Sequence, residues 1–309
     1  MPTLRAAVLV SILAACTAAE AHPTPRESPA APAPVTAPVT ASPPLPVAEA
    51  VYPWRTGSPS ATERLDGRFR APPDGFTRVA VGARTFGAFL RSLPLAPSGA
   101  KVVDYAGRSL HEDGHHPNIA AVVDIDVGTS DLQQCADAIL RLDAEWRYGL
   151  GERDITYRAV SGQRLTYRSW LAGDRAVVHG NDLAFTRLAA PHADDHALFR
   201  GWLDDVFRWA GTGSLARDAK KVERKDLAPG DLFVLTGAPY GHAVLVLDVA
   251  KDEHGRVALL LGQSYMPAQS FQVLQPDARS PWFVVAPEDV AVTTPFWRPF
   301  PFETSLKRL

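Results

Sequence analysis

The chain has 309 residues, a formal net charge of −2 and 46% hydrophobic residues, with no basic run and no heptads. That balance gives a nucleic-acid backbone nothing to bind, so nucleic-acid recognition is excluded as a function class. The apolar fraction and the seven tryptophans imply a substantial core.

Arg5 supplies a short basic segment, and Ala6 to Ala15 is an uncharged, mostly apolar run. The run is shorter than the roughly 20 residues that span a bilayer but suits the apolar region of a signal peptide. It ends in Leu13-Ala14-Ala15-Cys16, which resembles the bacterial lipobox. The resemblance implies that residues 1–16 are a lipoprotein signal peptide and that Cys16 is acylated, anchoring the chain in a membrane. Thr17 after the cysteine resembles a signal for the outer membrane of a Gram-negative cell. Cleavage after Ala19-Glu20-Ala21, an A-x-A site, is the alternative. Residues 17–50 are mostly Ala, Pro, Thr and Ser, with nine prolines between His22 and Val47. Such a segment has too little apolar surface to form a core and is expected to be an extended tether. Residues 51–309 remain for one globular domain. If the lipid takes Cys16, Cys135 is alone in the mature protein. A lone thiol in an exported protein is buried, paired with another chain, or reactive.

Within the domain, Tyr52-Pro53-Trp54 and Pro72-Pro73-Asp74-Gly75 signal turns. Phe76 to Val81 reads as a strand, Thr85 to Leu90 as a short helix, and Val102 to Tyr105 as a weak strand. Ile119 to Val127 is alternating and β-branched, the pattern of a strand. Ser130-Asp131-Leu132-Gln133 matches a capping box, predicting a helix to about Tyr148 with Leu132, Cys135/Ala136, Ile139, Leu142 and Trp146 on its apolar stripe. Residues 155 to 190 read as strands and loops. Phe199 to Ala210 marks a second amphipathic helix, closed by Gly211-Thr212-Gly213, with a short helix from Ser214. Leu232 to Leu235, Ala243 to Val249 and Val257 to Leu261 read as three strands joined by short turns, an antiparallel meander. Helices followed by a meander predict an α+β fold.

Three residues stand out as possible chemistry: Cys135, His242 and Gln263. A cysteine nucleophile needs a base, and the base needs a polar group to orient it. His242 opens one strand and Gln263 ends the next, so antiparallel pairing places them as cross-strand neighbours within a residue or two. Gln134, beside the cysteine, is a candidate amide donor to an oxyanion.

The order of a helix-borne cysteine, then Pro229-Gly230-Asp231-Leu232-Phe233 and Gly241-His242-Ala243-Val244-Leu245-Val246, resembles the papain-like NlpC/P60 and CHAP cell-wall hydrolases. The resemblance implies a papain-like domain, with the meander packed on the Cys-bearing helix. It departs at the nucleophile, where Gln134-Cys135-Ala136 stands in place of Asp-Cys-Ser or similar, and in the long interval between Cys135 and His242. A closer resemblance covers nearly the whole folded region. Asp131-Leu132-Gln133-Gln134-Cys135-Ala136-Asp137, Ala210-Gly211-Thr212-Gly213-Ser214-Leu215, Gln263-Ser264-Tyr265-Met266-Pro267-Ala268-Gln269 and Thr294-Pro295-Phe296-Trp297 resemble the bacterial family catalogued as domain of unknown function 4846. It implies an exported protein of this size and no particular activity.

The expectation is an envelope-tethered cysteine hydrolase or amidase, acting on an amide bond in a cell-wall peptide, with no cofactor. Cys135 would be the nucleophile, His242 the base, Gln263 the orienter and Gln134 the oxyanion donor. The alternative is a non-catalytic lipoprotein that binds a ligand or partner in the same cleft, with Cys135 an ordinary core residue. Two further clusters carry ligand-type or acid–base side chains. His111, Glu112, His115 and His116, with His192, Asp194, Asp195 and His196, offer metal-ligand chemistry but sit in loop-like stretches without a metal-binding helix motif. Asp137 and Glu145 lie on the early helix with no evident partner.

Overall fold

The computed structural model describes residues 52–55 and 63–309, so the signal peptide with Cys16 and the Pro-rich tether lie outside the described residues. The first elements are α1 (Leu65–Arg68), β1 (Thr77–Arg78), α2 (Phe86–Arg91) and β2 (Ile119–Val122). Thr85 caps α2, its hydroxyl accepting from the Ala88 N–H at 3.2 Å. The stretch Val102 to Tyr105 does not form a strand; Val103 and Asp104 make only isolated bridges to Ser109 and Gln269. The strand expected from Ile119 to Val127 stops at Val122, after which Val123 bridges to Leu95.

Next comes α3 (Cys135–Gly149), followed by β3 (Thr156–Arg158), β4 (Arg164–Thr166), α4 (Tyr167–Leu171), β5 (Asp174–His179), β6 (Asp182–Arg187), α5 (His196–Trp209) and α6 (Thr212–Asp218). The chain then runs through β7 (Lys220–Lys221), β8 (Leu232–Leu235), β9 (His242–Lys251), β10 (Val257–Gln263), β11 (Gln272–Leu274), β12 (Phe283–Val285), β13 (Ala291–Val292), β14 (Phe300–Pro301), α7 (Phe302–Ser305) and β15 (Leu306–Arg308). The domain is mixed α and β with a mostly antiparallel sheet. Its main sheet runs β2-β11-β10-β9-β8-β15-β7, with β1 paired to β9 and β12 to β10.

The central strand β9 is covered on both faces, which is why it reads as an unbroken apolar run rather than an alternating one. Ala243, Leu245 and Leu247 pack in one core with Ile139 and Leu142 of α3 and Trp202 of α5. Val244 and Val246 pack in a second core with Phe233, Phe300 and Leu306. Gly262 on β10 makes room for this packing: a Cβ there would lie 2.5 Å from Phe271 Cε1 and 2.8 Å from Leu247 Cδ1.

Helix α3 begins at Cys135, not after Ser130. Gln134 is its N-cap, and the Asp137 carboxylate accepts from the Gln134 N–H at 3.1 Å. Gln and Asp here occupy a capping box that Ser130 and Gln133 were expected to fill. The Ser130 stretch is instead a loop tied to the helix from outside. Cys135 is therefore the first helical residue rather than the fifth.

The helix is held by a buried charge. Arg141, fully buried, donates to Glu145 Oε1, Gln133 Oε1 and Asp126 Oδ2, each at 2.8 Å. Glu145, also fully buried, meets His196 Nε2 of α5 at 2.9 Å. Removing one partner of a buried ion pair strands the other charge, which costs about 3–5 kcal/mol. Arg141→Met is accordingly expected to lose about that much in equilibrium urea unfolding. Adding Glu145→Leu should recover part of the loss. A single variant as stable as the parent would show that the network is dispensable.

Candidate active site

The first turn of α3 sits at the start of β9. Cys135 is 5% exposed, and its sulfur faces the Ala243 backbone N–H. Burial, then the charge of Asp137, push the thiol up to about 11, while the N–H groups of Ala243, Ala136 and Cys135 itself pull the other way. Desolvation outweighs the helix N-terminus here, so the resting group is a thiol.

His242 is fully buried at the mouth of β9. Its ring lies 5.0 Å from that of Tyr265, 4.9 Å from Trp297 and 6.2 Å from Phe300. Its Nε2 is 2.8 Å from Gln263 Oε1. A carbonyl oxygen can only accept, so the neutral ring carries its proton on Nε2 and leaves Nδ1 a bare base. Nδ1 has no hydrogen-bond partner among the described residues, Cys135 included. Burial lowers the imidazole to about 4, against the opposing pull of Gln263, so the ring is neutral at neutral pH. The register explains the contact. Leu245 pairs with Gly262, which puts Gln263 across from Val244 and diagonal to His242 on the same face.

The four residues singled out from the sequence thus fall at one end of the sheet, and their contacts differ. His242 and Gln263 are bonded directly. Cys135 lies against the residue that follows His242. Gln134 stands beside the cysteine, with its Nε2 donating to Asp131 Oδ1 at 3.0 Å. Tyr265 packs its ring on His242, and its hydroxyl is raised by burial and by the charge that Cys135 carries when ionised. Just before His242 the chain passes close to the end of β8 and the start of α6 at Gly241, where a Cβ would lie 2.3 Å from Leu235 O and 2.5 Å from Thr212 Oγ1.

A cleft of about 380 Å³ opens over the first turn of α3. Gln134, Cys135, Asp137, Arg208, Thr212 and Tyr240 are among its lining residues. In the sequence Asp137 has no visible partner. Its position three residues after the N-cap was the available signal, obscured because Gln is an unusual cap. One of its oxygens accepts from Gln134, and the other, Oδ1, is buried without a partner. The helix N-terminus favours its anion by about 0.3–1 kcal/mol. Burial acts more strongly in the opposite sense, and its pKa lies well above the ordinary carboxyl range.

The histidine and carboxylate loops are placed elsewhere. His111 and His116 pack on the Phe296 ring. His196 bonds Glu145, Asp195 caps α5 through the Leu198 N–H, and Asp194 accepts from the Tyr167 and Tyr148 hydroxyls. No group of three or more His, Cys, Asp or Glu among the described residues is arranged to hold a metal. Among those residues no helix is long and apolar enough to cross a membrane.

The electrostatics predict how the thiol reacts. A thiol raised to about 11 is mostly protonated at lower pH, so iodoacetamide labelling of Cys135 should accelerate about tenfold per pH unit up to that point. Once Asp137 ionises at high pH its charge lies beside the sulfur, and Asp137→Asn, which removes that charge, should move the upper part of the profile to lower pH. A labelling rate already at its plateau at neutral pH would contradict both statements.

No curated protein and no solved structure matches this chain. A family model does match, over residues 65–308, which include Gln134, Cys135, Asp137, His242 and Gln263. The chain belongs to the family described as domain of unknown function 4846.

Proposed function

We propose that this protein is a cysteine hydrolase or amidase of papain-like arrangement, with Cys135 as nucleophile, His242 as general base and Gln263 as the residue that orients the base. The observation that carries this reading is the bare, buried Nδ1 of His242, whose tautomer is fixed by Gln263, on a residue flanked by Ala243, whose N–H faces the cysteine, and by Gly241, which lines the same open cleft as Cys135. An orienting partner on one ring nitrogen and a free lone pair on the other are what a general base requires.

The resting pair is a neutral thiol and a neutral imidazole. Attack would therefore be base-assisted rather than driven by a preformed ion pair. The Cys135 thiol gives its proton to His242 Nδ1 as sulfur bonds to the substrate carbonyl carbon, and the carbonyl π pair moves to oxygen. Collapse breaks the carbon–nitrogen bond, and the amine leaves with the proton from His242. Water then hydrolyses the thioester, releasing the carboxylic acid and restoring the thiol. The side chain of His242 must approach the sulfur more closely than in the ligand-free geometry, a tightening common on substrate binding.

We further propose that the domain works at the bacterial envelope, held by lipid on Cys16 through the Pro-rich tether, with amide bonds of cell-wall peptides as its substrates. The lipobox-like run, the tether and the resemblance to NlpC/P60 and CHAP enzymes support this. The second reading, a non-catalytic lipoprotein with a ligand-binding cleft, is favoured by one observation: the high pKa of a largely buried thiol.

An activated ester separates the two. p-Nitrophenyl acetate should acylate Cys135, seen as a burst of nitrophenolate and a mass shift on the peptide containing Cys135. Cys135→Ser should abolish both, and His242→Asn should slow acylation about 10²–10⁴-fold. Acylation should hold constant as pH falls and fail only near 4, where His242 takes up a proton, rather than near the ordinary 6.5. Gln263→Glu puts a carboxylate against the ring, favours imidazolium, and should move that limb upward. No acylation at Cys135 would leave the binding reading. Release of new amino groups from purified peptidoglycan, lost in Cys135→Ser, would test the substrate.

A further inference from the structure

The cleft contains a group that the proposed chemistry does not yet use. Asp137 is 6% exposed, lines the cleft two residues beyond Cys135, and has one carboxyl oxygen fully occupied and one idle. Its Oδ2 accepts from the Gln134 backbone N–H, completing the start of α3. Its Oδ1 is buried and bonds to nothing among the described residues. A buried oxygen without a partner is costly, and in a native fold it is usually matched by something absent from the protein alone.

The chemistry of that missing partner depends on the proton. An ionised Oδ1 can only accept, whereas a protonated one can donate. On its own segment lie Asp131, Cys135 and, one turn on, Arg141, whose guanidinium is engaged by Glu145, Gln133 and Asp126. Asp131 is already held by the Gln134 amide and the Ala268 N–H, at 3.0 and 2.7 Å. Arg208 is the one Lys or Arg among the cleft-lining residues, and its guanidinium is paired with Asp205 at 2.6 Å. Tyr240 also lines the cleft, and the His242 and Tyr265 rings pack on each other outside its lining. The N–H groups of Gln134 and of Asp137 itself favour the anion, but burial outweighs them and no cation bonds Asp137 among the described residues, so the neutral acid is favoured.

We propose that Asp137 is an oxyanion donor: a neutral carboxyl that gives a hydrogen bond from Oδ1 to the carbonyl oxygen of the acyl group under attack by Cys135. This rests on the reading of Cys135 as nucleophile. During attack the negative charge that gathers on the substrate oxygen is met by the Oδ1–H. The proton stays on Asp137, and the thiol proton goes to His242 as before. The substrate class follows: an amide or ester whose carbonyl enters the cleft beside the first turn of α3. Neutrality also removes a like charge from beside the sulfur at the moment its thiolate character develops.

The test compares two replacements, using p-nitrophenyl acetate as the probe at neutral pH. Asp137→Asn keeps an acceptor for the Gln134 N–H and an N–H donor in place of the acid. It should acylate within about tenfold of the parent. Asp137→Ser has no donor of that reach and should fall about 10²–10³-fold, the usual cost of one oxyanion donor. Thermal unfolding of each variant checks the fold. An infrared difference spectrum, parent minus Asp137→Asn, reads the proton directly in a folded pair. A protonated-carboxyl band at neutral pH is expected. A carboxylate band, or Asn and Ser variants that slow equally, overturns the donor role while leaving the nucleophile intact. A parent that does not acylate at Cys135 overturns the nucleophile and the donor together.

Discussion

Arg141 sets the geometry on which everything around α3 depends. Its guanidinium has no solvent, so every donor must find a protein acceptor. It finds them on the helix itself at Glu145 and on the preceding loop at Gln133 and Asp126. The second and third contacts fasten residues 126–133 along the helix side. That is why the chain enters α3 at Cys135 instead of continuing a turn earlier. From the far side, Ser264 Oγ bonds Gln269 O at 2.8 Å, and the Ala268 N–H donates to Asp131. The loop before the cysteine is thus gripped by the helix on one flank and by the segment after β10 on the other.

Burial rather than charge then governs the site. Cys135, Asp137 and His242 are all driven toward their neutral forms, and in each case desolvation is the largest cause. Burial pushes the carboxyl of Asp248, on the same strand, upward as well, but there it works against paired cations. Asp248 is fully buried too, but Arg91 and Arg78 meet it at 2.6 and 2.9 Å, and those cations oppose the effect of burial. One end of β9 is therefore dry and uncharged, with idle lone pairs and protons. The other is an ion cluster that binds β1 and α2 to the sheet. The first arrangement suits a site that waits for a ligand, and the second suits a joint.

Much of this was legible from the residues. The meander emerged with its strand bounds nearly intact, because Pro229-Gly230 and the Lys251–Arg256 turn punctuate it and the strands between are long and β-branched. The His242–Gln263 contact followed from counting back from the turn. The start of α3 did not, since Ser130 and Gln133 fit a stronger capping signature than Gln134 and Asp137, and only the Arg141 contacts decide between them. The short strands faded where no neighbour was available: Val102 to Tyr105 has β-type residues but makes only single bridges. The partition of β9 between two cores was invisible too, because a strand covered on both sides carries no period.

The small space at Gly262 has a consequence for proton chemistry. Phe271 and Leu247 occupy the volume a methyl group would take, and this lets β10 lie flush enough for the next residue, Gln263, to reach the imidazole diagonally. Widen that gap by the width of a methyl and the amide oxygen loses the ring. The imidazole is then free to exchange tautomers, and its lone pair no longer has a fixed address. An absent side chain in the core thereby selects which of two nitrogens is the base, converting a packing tolerance into an acid–base identity.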